Sequence, residues 1–108
     1  MNETIENIAN LCGWKVSIDN GNFEFEQMIG TNDFVFSIQC EERKLRSFVI
    51  QLEKYLNNFD VDYETSIWIG EDGHGKNGAP YHIKDILDEM YSAKEQIATL
   101  LYELKRKL

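Results

Sequence analysis

The residues most able to do chemistry lie between Gly70 and Pro80. Gly70-Glu71-Asp72-Gly73-His74-Gly75-Lys76-Asn77-Gly78-Ala79-Pro80 is a glycine-rich run that ends in the chain's single proline. Gly70-x-x-x-x-Gly75-Lys76 matches most of a phosphate-binding loop, in which backbone N–H groups and a lysine surround phosphates and a Ser or Thr hydroxyl holds magnesium. Here Asn77 stands where that hydroxyl belongs, and Gly78, Ala79 and Pro80 interrupt the helix that should begin at once. The spacing therefore argues against nucleotide hydrolysis. It leaves a looser expectation: Gly73, His74, Gly75, Lys76 and Asn77 holding an anion or a partner's carboxylate beside the following helix N-terminus.

Other chemistries find less. His74 and His82 are the two histidines, and neither they nor Asp72 and Glu71 follow a metal-ligand spacing. Asp60-Val61-Asp62 lacks the glycine of a calcium loop. Cys12 and Cys40 have no CxxC partner and read as reduced core thiols. No serine sits in a nucleophile-elbow context. The sequence thus points to a non-enzymatic protein without a metal or cofactor.

Charge narrows the partners. The chain has 108 residues and a net charge of −8, from 19 acids and 11 bases. Residues 1–40 carry six acids and one base, and residues 61–82 four acids and one base, whereas residues 41–60 and 83–108 balance. The acidity belongs to the first half and the glycine-rich segment. An acidic surface repels phosphate backbones, which disfavours direct DNA or RNA binding. No apolar run approaches the roughly 20 residues of a membrane span, and the start carries no export signal, so the expected compartment is the cytoplasm. At 43% hydrophobic and 12% aromatic residues, the chain has enough apolar material for one core, so a single domain over 1–108 is expected.

The elements that must position these groups follow from periodicity. Ile5, Ile8, Ala9 and Cys12 mark a first helix, with Asn2 as its cap and Gly13 just past its end. The period then switches to two. Trp14, Val16 and Ile18 alternate with polar residues, and Asn20-Gly21 is a hairpin turn signal. A second strand places Phe23, Phe25 and Ile29 on one face and Glu24, Glu26 and Met28 on the other. Gly30-Thr31-Asn32-Asp33 reads as a turn, and Phe34, Phe36, Ile38 and Cys40 as a third strand. Leu45, Phe48, Val49, Leu52, Leu56 and Phe59 form the stripe of a covering helix, with Glu41 and Glu42 at its N-terminus.

Residues 60–69 fit both a strand, through Val61, Tyr63, Thr65, Ile67 and Ile69, and a helix face of Val61, Thr65 and Trp68 capped by Asp60 or Asp62. Pro80 is suited to begin a last helix whose stripe runs from Ile83 to Leu108. About 26 residues at 1.5 Å give roughly 39 Å. That is long for the domain, so its end should project, bend or pack on a second copy as a homodimer contact. The architecture expected is α+β in the order α-β-β-β-α-α-α, with the sixth element a short helix or strand. A protein partner would be met by Glu24 and Glu26, about 7 Å apart on one strand face, and by Trp68, Tyr91 and Tyr102.

The element order at the start resembles double-stranded-RNA-binding domains, but those use basic contacts to phosphate, and this sheet half is acidic. A more specific likeness lies further along. Asn58-Phe59-Asp60-Val61-Asp62-Tyr63-Glu64, Ile67-Trp68-Ile69, Gly75-Lys76-Asn77-Gly78-Ala79-Pro80, Ile83, Ile86-Leu87 and Met90 together resemble a family of small proteins encoded by phages, prophages and conjugative elements of gut bacteria. The likeness is sharpest over residues 57–90. It implies a short helix at 60–69 and a mobile-element origin; the acidic first half, the long last helix and the lack of a catalytic set point to an accessory protein that binds another protein. A weaker similarity, in the Asp-rich entry before Trp68 and the closing helix, is to acidic antirestriction proteins, and it implies inhibition of a host factor.

Overall fold

The computed structural model describes residues 1–30, 32–69 and 83–108, with the side chains of Trp68, Ile69 and Ile83 outside that description. The order is α1 (Asn2–Leu11), β1 (Lys15–Asp19), β2 (Asn22–Ile29), β3 (Asn32–Gln39), α2 (Leu45–Asn57), α3 (Val61–Ile69) and α4 (Ile83–Lys105). This is an α+β fold: the described residues form three antiparallel strands in the order β1-β2-β3 and four helices.

Local chemistry fixes the first half. α1 ends in a Schellman motif: Gly13 has φ +92°, Gly13 N–H donates to Asn10 O at 3.1 Å, and Trp14 N–H donates to Ala9 O at 2.9 Å. That geometry satisfies the last helical carbonyls and turns the chain into β1. Asn2 is not the cap expected; it lies within the helix, and Met1 occupies the cap position with no side-chain bond. Asn20 (φ 48°) and Gly21 (φ 80°) form the tight turn, both at positive φ, and Asp19 pairs with Asn22. The second turn is shorter than the sequence suggested. Ile29 already pairs with Asn32, so Asn32 and Asp33 belong to β3.

The aromatic groups of the strands fall on one sheet face, where α2 adds Phe48. Trp14, Phe23, Phe25, Phe34, Phe36 and Phe48 are each at most 5% exposed. Phe36 lies parallel to Phe25 and to Tyr55, with centroids 4.9 Å apart in both pairs, and Trp14 meets it edge-on at 5.1 Å. The covering helix is α2, as expected, though it starts at Leu45 with Lys44 at the cap position. Glu42 therefore misses the first turn and instead accepts a hydrogen bond from the Ser47 hydroxyl.

The ambiguous segment is a helix. Asp60 Oδ1 accepts from the N–H groups of Asp62 (3.0 Å) and Tyr63 (3.2 Å), which satisfies donors that a strand would have had to place elsewhere. Val61 and Thr65 are buried, while Tyr63 and Ile67 are exposed, as a helix packed on α4 demands and alternation does not. Asp60→Ala should lower stability by about 1 kcal/mol; a chemical-melt midpoint unchanged from wild type would show that the cap contributes nothing.

α4 is the spine. Ile86, Met90, Ala93, Ile97, Leu100, Leu101 and Leu104 are all buried. Its length is matched by an elongated molecule of 42 × 24 × 23 Å, and these residues pack inside their own chain. No described helix is long and apolar enough to cross a membrane.

Candidate functional site: the outer sheet face

The helices pack on one side of the sheet, and the other side is exposed. Strand register arranges that outer face in rows. Asp19, Asn22 and Gln39 form one; Ser17, Glu24 and Ser37 the next; Lys15, Glu26 and Val35 the third; Met28 and Asp33 the last. The face thus carries four acidic side chains, Asp19, Glu24, Glu26 and Asp33, against one lysine. Met28 and Val35, 62% and 45% exposed, sit beside the acids. Glu24 and Glu26 lie where the sequence placed them. Asp33, read from sequence as a turn residue, joins them because β3 starts earlier. Extending the outward alternation of Gln39, Ser37 and Val35 back by two residues was the signal that could have found it.

Two of these acids interact directly. A hydrogen bond with the Asp33 carboxyl, followed by the repulsion between two carboxylates, raises the Glu26 pKa above its ordinary 4.5; desolvation and Glu24 add to this, and Lys15 opposes it. Repulsion from the neighbouring carboxylate disfavours the charged form of Glu26. The sign for stability follows. A carboxyl raised on folding contributes stability that is present below its unfolded pKa and lost as pH rises through its folded pKa. Glu26→Gln should therefore raise the melting temperature at pH 7. The gain should vanish below about pH 4, where carboxyls protonate in both states. Equal melting temperatures at both pH values would show no pair.

The other proposed contacts are scattered. Tyr91 and Tyr102 are 54% and 63% exposed on α4, eleven residues apart and so on one side of the helix. Tyr91 borders a groove of about 540 Å³ with Asn57, Asp60 and Lys94. Neither tyrosine packs into the core. The side chain of Trp68, and Gly73, His74, Gly75, Lys76 and Asn77, lie outside the described residues, as do His82 and Pro80. Among the described residues no group of three or more His, Cys, Asp or Glu could hold a metal ion.

Neither cysteine is tuned as a nucleophile. Burial, then Glu103, pushes the Cys12 thiol up, and burial, then Glu42, does so for Cys40, which favours the neutral thiol. Tyr55 is held protonated by burial and by Glu64. A further groove missed by sequence reasoning, of about 410 Å³, opens between the end of β3 and α2 beside Gln39, Glu42, Ser47, Ile50 and Gln51. It joins residues distant in periodicity and carries no sequence signal. No protein-family model, curated protein or solved structure matches this chain.

Proposed function

We propose that this chain is a non-enzymatic accessory protein of a mobile genetic element that works by binding another protein, with its outer sheet face meeting a basic surface of a host factor. The observation that carries this reading is the set of four acids, one in each row of a sheet face that no described element covers, beside the exposed Met28 and Val35. Mixed acidic and apolar character suits recognition: charge steers the encounter and apolar contact holds the complex. The likeness of residues 57–90 to mobile-element proteins supports the setting, and the weaker likeness to antirestriction proteins supports a host target. Acidity also speaks against nucleic acid itself as the ligand.

Capture from bacterial lysate on the immobilised protein tests this. The expected result is a net-basic protein released by rising salt, because the contacts are charge-steered and screened. Captured proteins that are acidic, or retained regardless of salt, would count against the acidic face.

A further inference from the structure

The register of the sheet determines which backbone groups remain unpaired among the described residues. Cys40 N–H donates to Gly21 O at 2.8 Å, so the even-numbered residues of β3 bond toward β2. In an antiparallel ladder the alternate residues then turn their N–H and C=O groups away. Those residues are Asp33, Val35, Ser37 and Gln39, and all four are exposed. The opposite edge differs: β1 is five residues long, carries Lys15 and Asp19, and by the same alternation turns out only Val16 and Ile18.

Edge strands ordinarily carry a lysine, a proline, a bulge or a short length that blocks pairing. β3 has none of these: it is eight residues long, contains no lysine or proline, and pairs with β2 residue for residue without a bulge. Beside its end lies the 410 Å³ groove, where Ser47, Ile50 and Gln51 of α2 face Gln39 and Glu42. Ile50 is 51% exposed there.

We infer that the free edge of β3 receives an extended segment of the protein partner as a fourth antiparallel strand, with basic and apolar residues alternating along it. This rests on the reading of the outer face as a protein-binding surface and says how the partner is held. Backbone groups of Asp33, Val35, Ser37 and Gln39 supply the hydrogen bonds, and alternate side chains supply specificity. One set of the partner's side chains lies over the acidic face next to Asp33 and Glu26, where lysine or arginine is favoured. The other set points toward Ile50 and the groove, where apolar residues are favoured. Charge disfavours a second copy of this chain in the register centred on Phe36. Pairing β3 with itself about Phe36 sets Asp33 opposite Gln39 and brings it near Glu41 of the other copy at both ends, and like charges across a sheet are destabilising.

The test uses the full chain and an acetylated heptapeptide of alternating lysine and valine. Amide hydrogen exchange by NMR should show about tenfold slowing at Asp33, Val35, Ser37 and Gln39 on peptide saturation, reflecting occupied edge donors. The even-numbered amides of β3, already bonded to β2, should not change. Ser37→Pro removes one edge donor without touching the β2 ladder and should weaken peptide binding about tenfold or more. Ile50→Arg, on an exposed helix position, should weaken it similarly if Ser37→Pro does not fold. Unslowed odd-numbered amides, or unchanged affinity in both variants, would overturn the inference. If binding then still required Glu24 and Glu26, the acidic-face reading would stand and only the edge would fall. If the odd amides slowed while Glu24→Lys/Glu26→Lys bound normally, the edge would stand and the acidic face would fall.

Discussion

Trp14→Ala should destabilise the protein by about 3–5 kcal/mol, the range for removing a large buried aromatic and leaving a cavity. For a domain this size that is a fall of roughly 12–40 °C in melting temperature and a large part of an ordinary total stability of about 5–15 kcal/mol. Trp14 is 1% exposed and meets Phe25, Phe34 and Phe36 edge-on at 5.1–6.4 Å. It also closes the Schellman turn that links α1 to β1. Its indole N–H has no hydrogen-bond partner among the described residues. Trp14→Phe should therefore cost far less, about 1 kcal/mol, because lost volume is partly offset by removing a buried unpaired donor. Equal losses for Ala and Phe, measured by thermal melting, would mean that the ring's contacts are not what holds this corner together.

The second large effect concerns binding. Glu24→Lys/Glu26→Lys/Asp33→Lys should weaken a basic partner about 100-fold or more, roughly 2.7 kcal/mol, since it replaces attraction by like-charge repulsion across the contact. The fold should survive. All three side chains lie on the outer face, and their backbones keep the same ladder. Circular dichroism should match wild type while capture of the partner is lost. A variant that folds and still captures the same protein at the same salt would remove the acidic face from the account.

Most of the first half was legible in the sequence because its determinants are local. Gly13 and Asn20-Gly21 hold positive φ, a conformation that glycine adopts freely and asparagine more readily than most residues. Period-two alternation placed Glu24 and Glu26 opposite Phe23 and Phe25 without any tertiary information. Asp33 was harder: Gly30-Thr31-Asn32-Asp33 has turn composition throughout, and only pairing between Ile29 and Asn32 reveals that the turn ends early. Residues 61–69 satisfied two periods at once, and a cap from Asp60 together with packing on α4 selects the helix. The length of α4 was legible in its stripe, but the elongated core that accompanies it was not. The core stretches along the helix, so the stripe is covered by the chain's own sheet and helices. Tyr91 and Tyr102 sit one position from buried Met90 and Leu101, and a turn of about 100° per residue is enough to bring them to the surface. The unpaired edge of β3 and its groove with α2 depend on strand order and helix placement, which no short-range pattern encodes.

The central claim is about place: the partner meets the outer sheet face. Once a basic protein has been captured, amide chemical-shift mapping on the isotope-labelled chain locates it directly. The account predicts shifts at Ser17, Glu24, Glu26, Asp33 and Val35, with little change along α4. Shifts confined to Asn57, Tyr91, Lys94 and Tyr102, with the sheet unaffected, would contradict it.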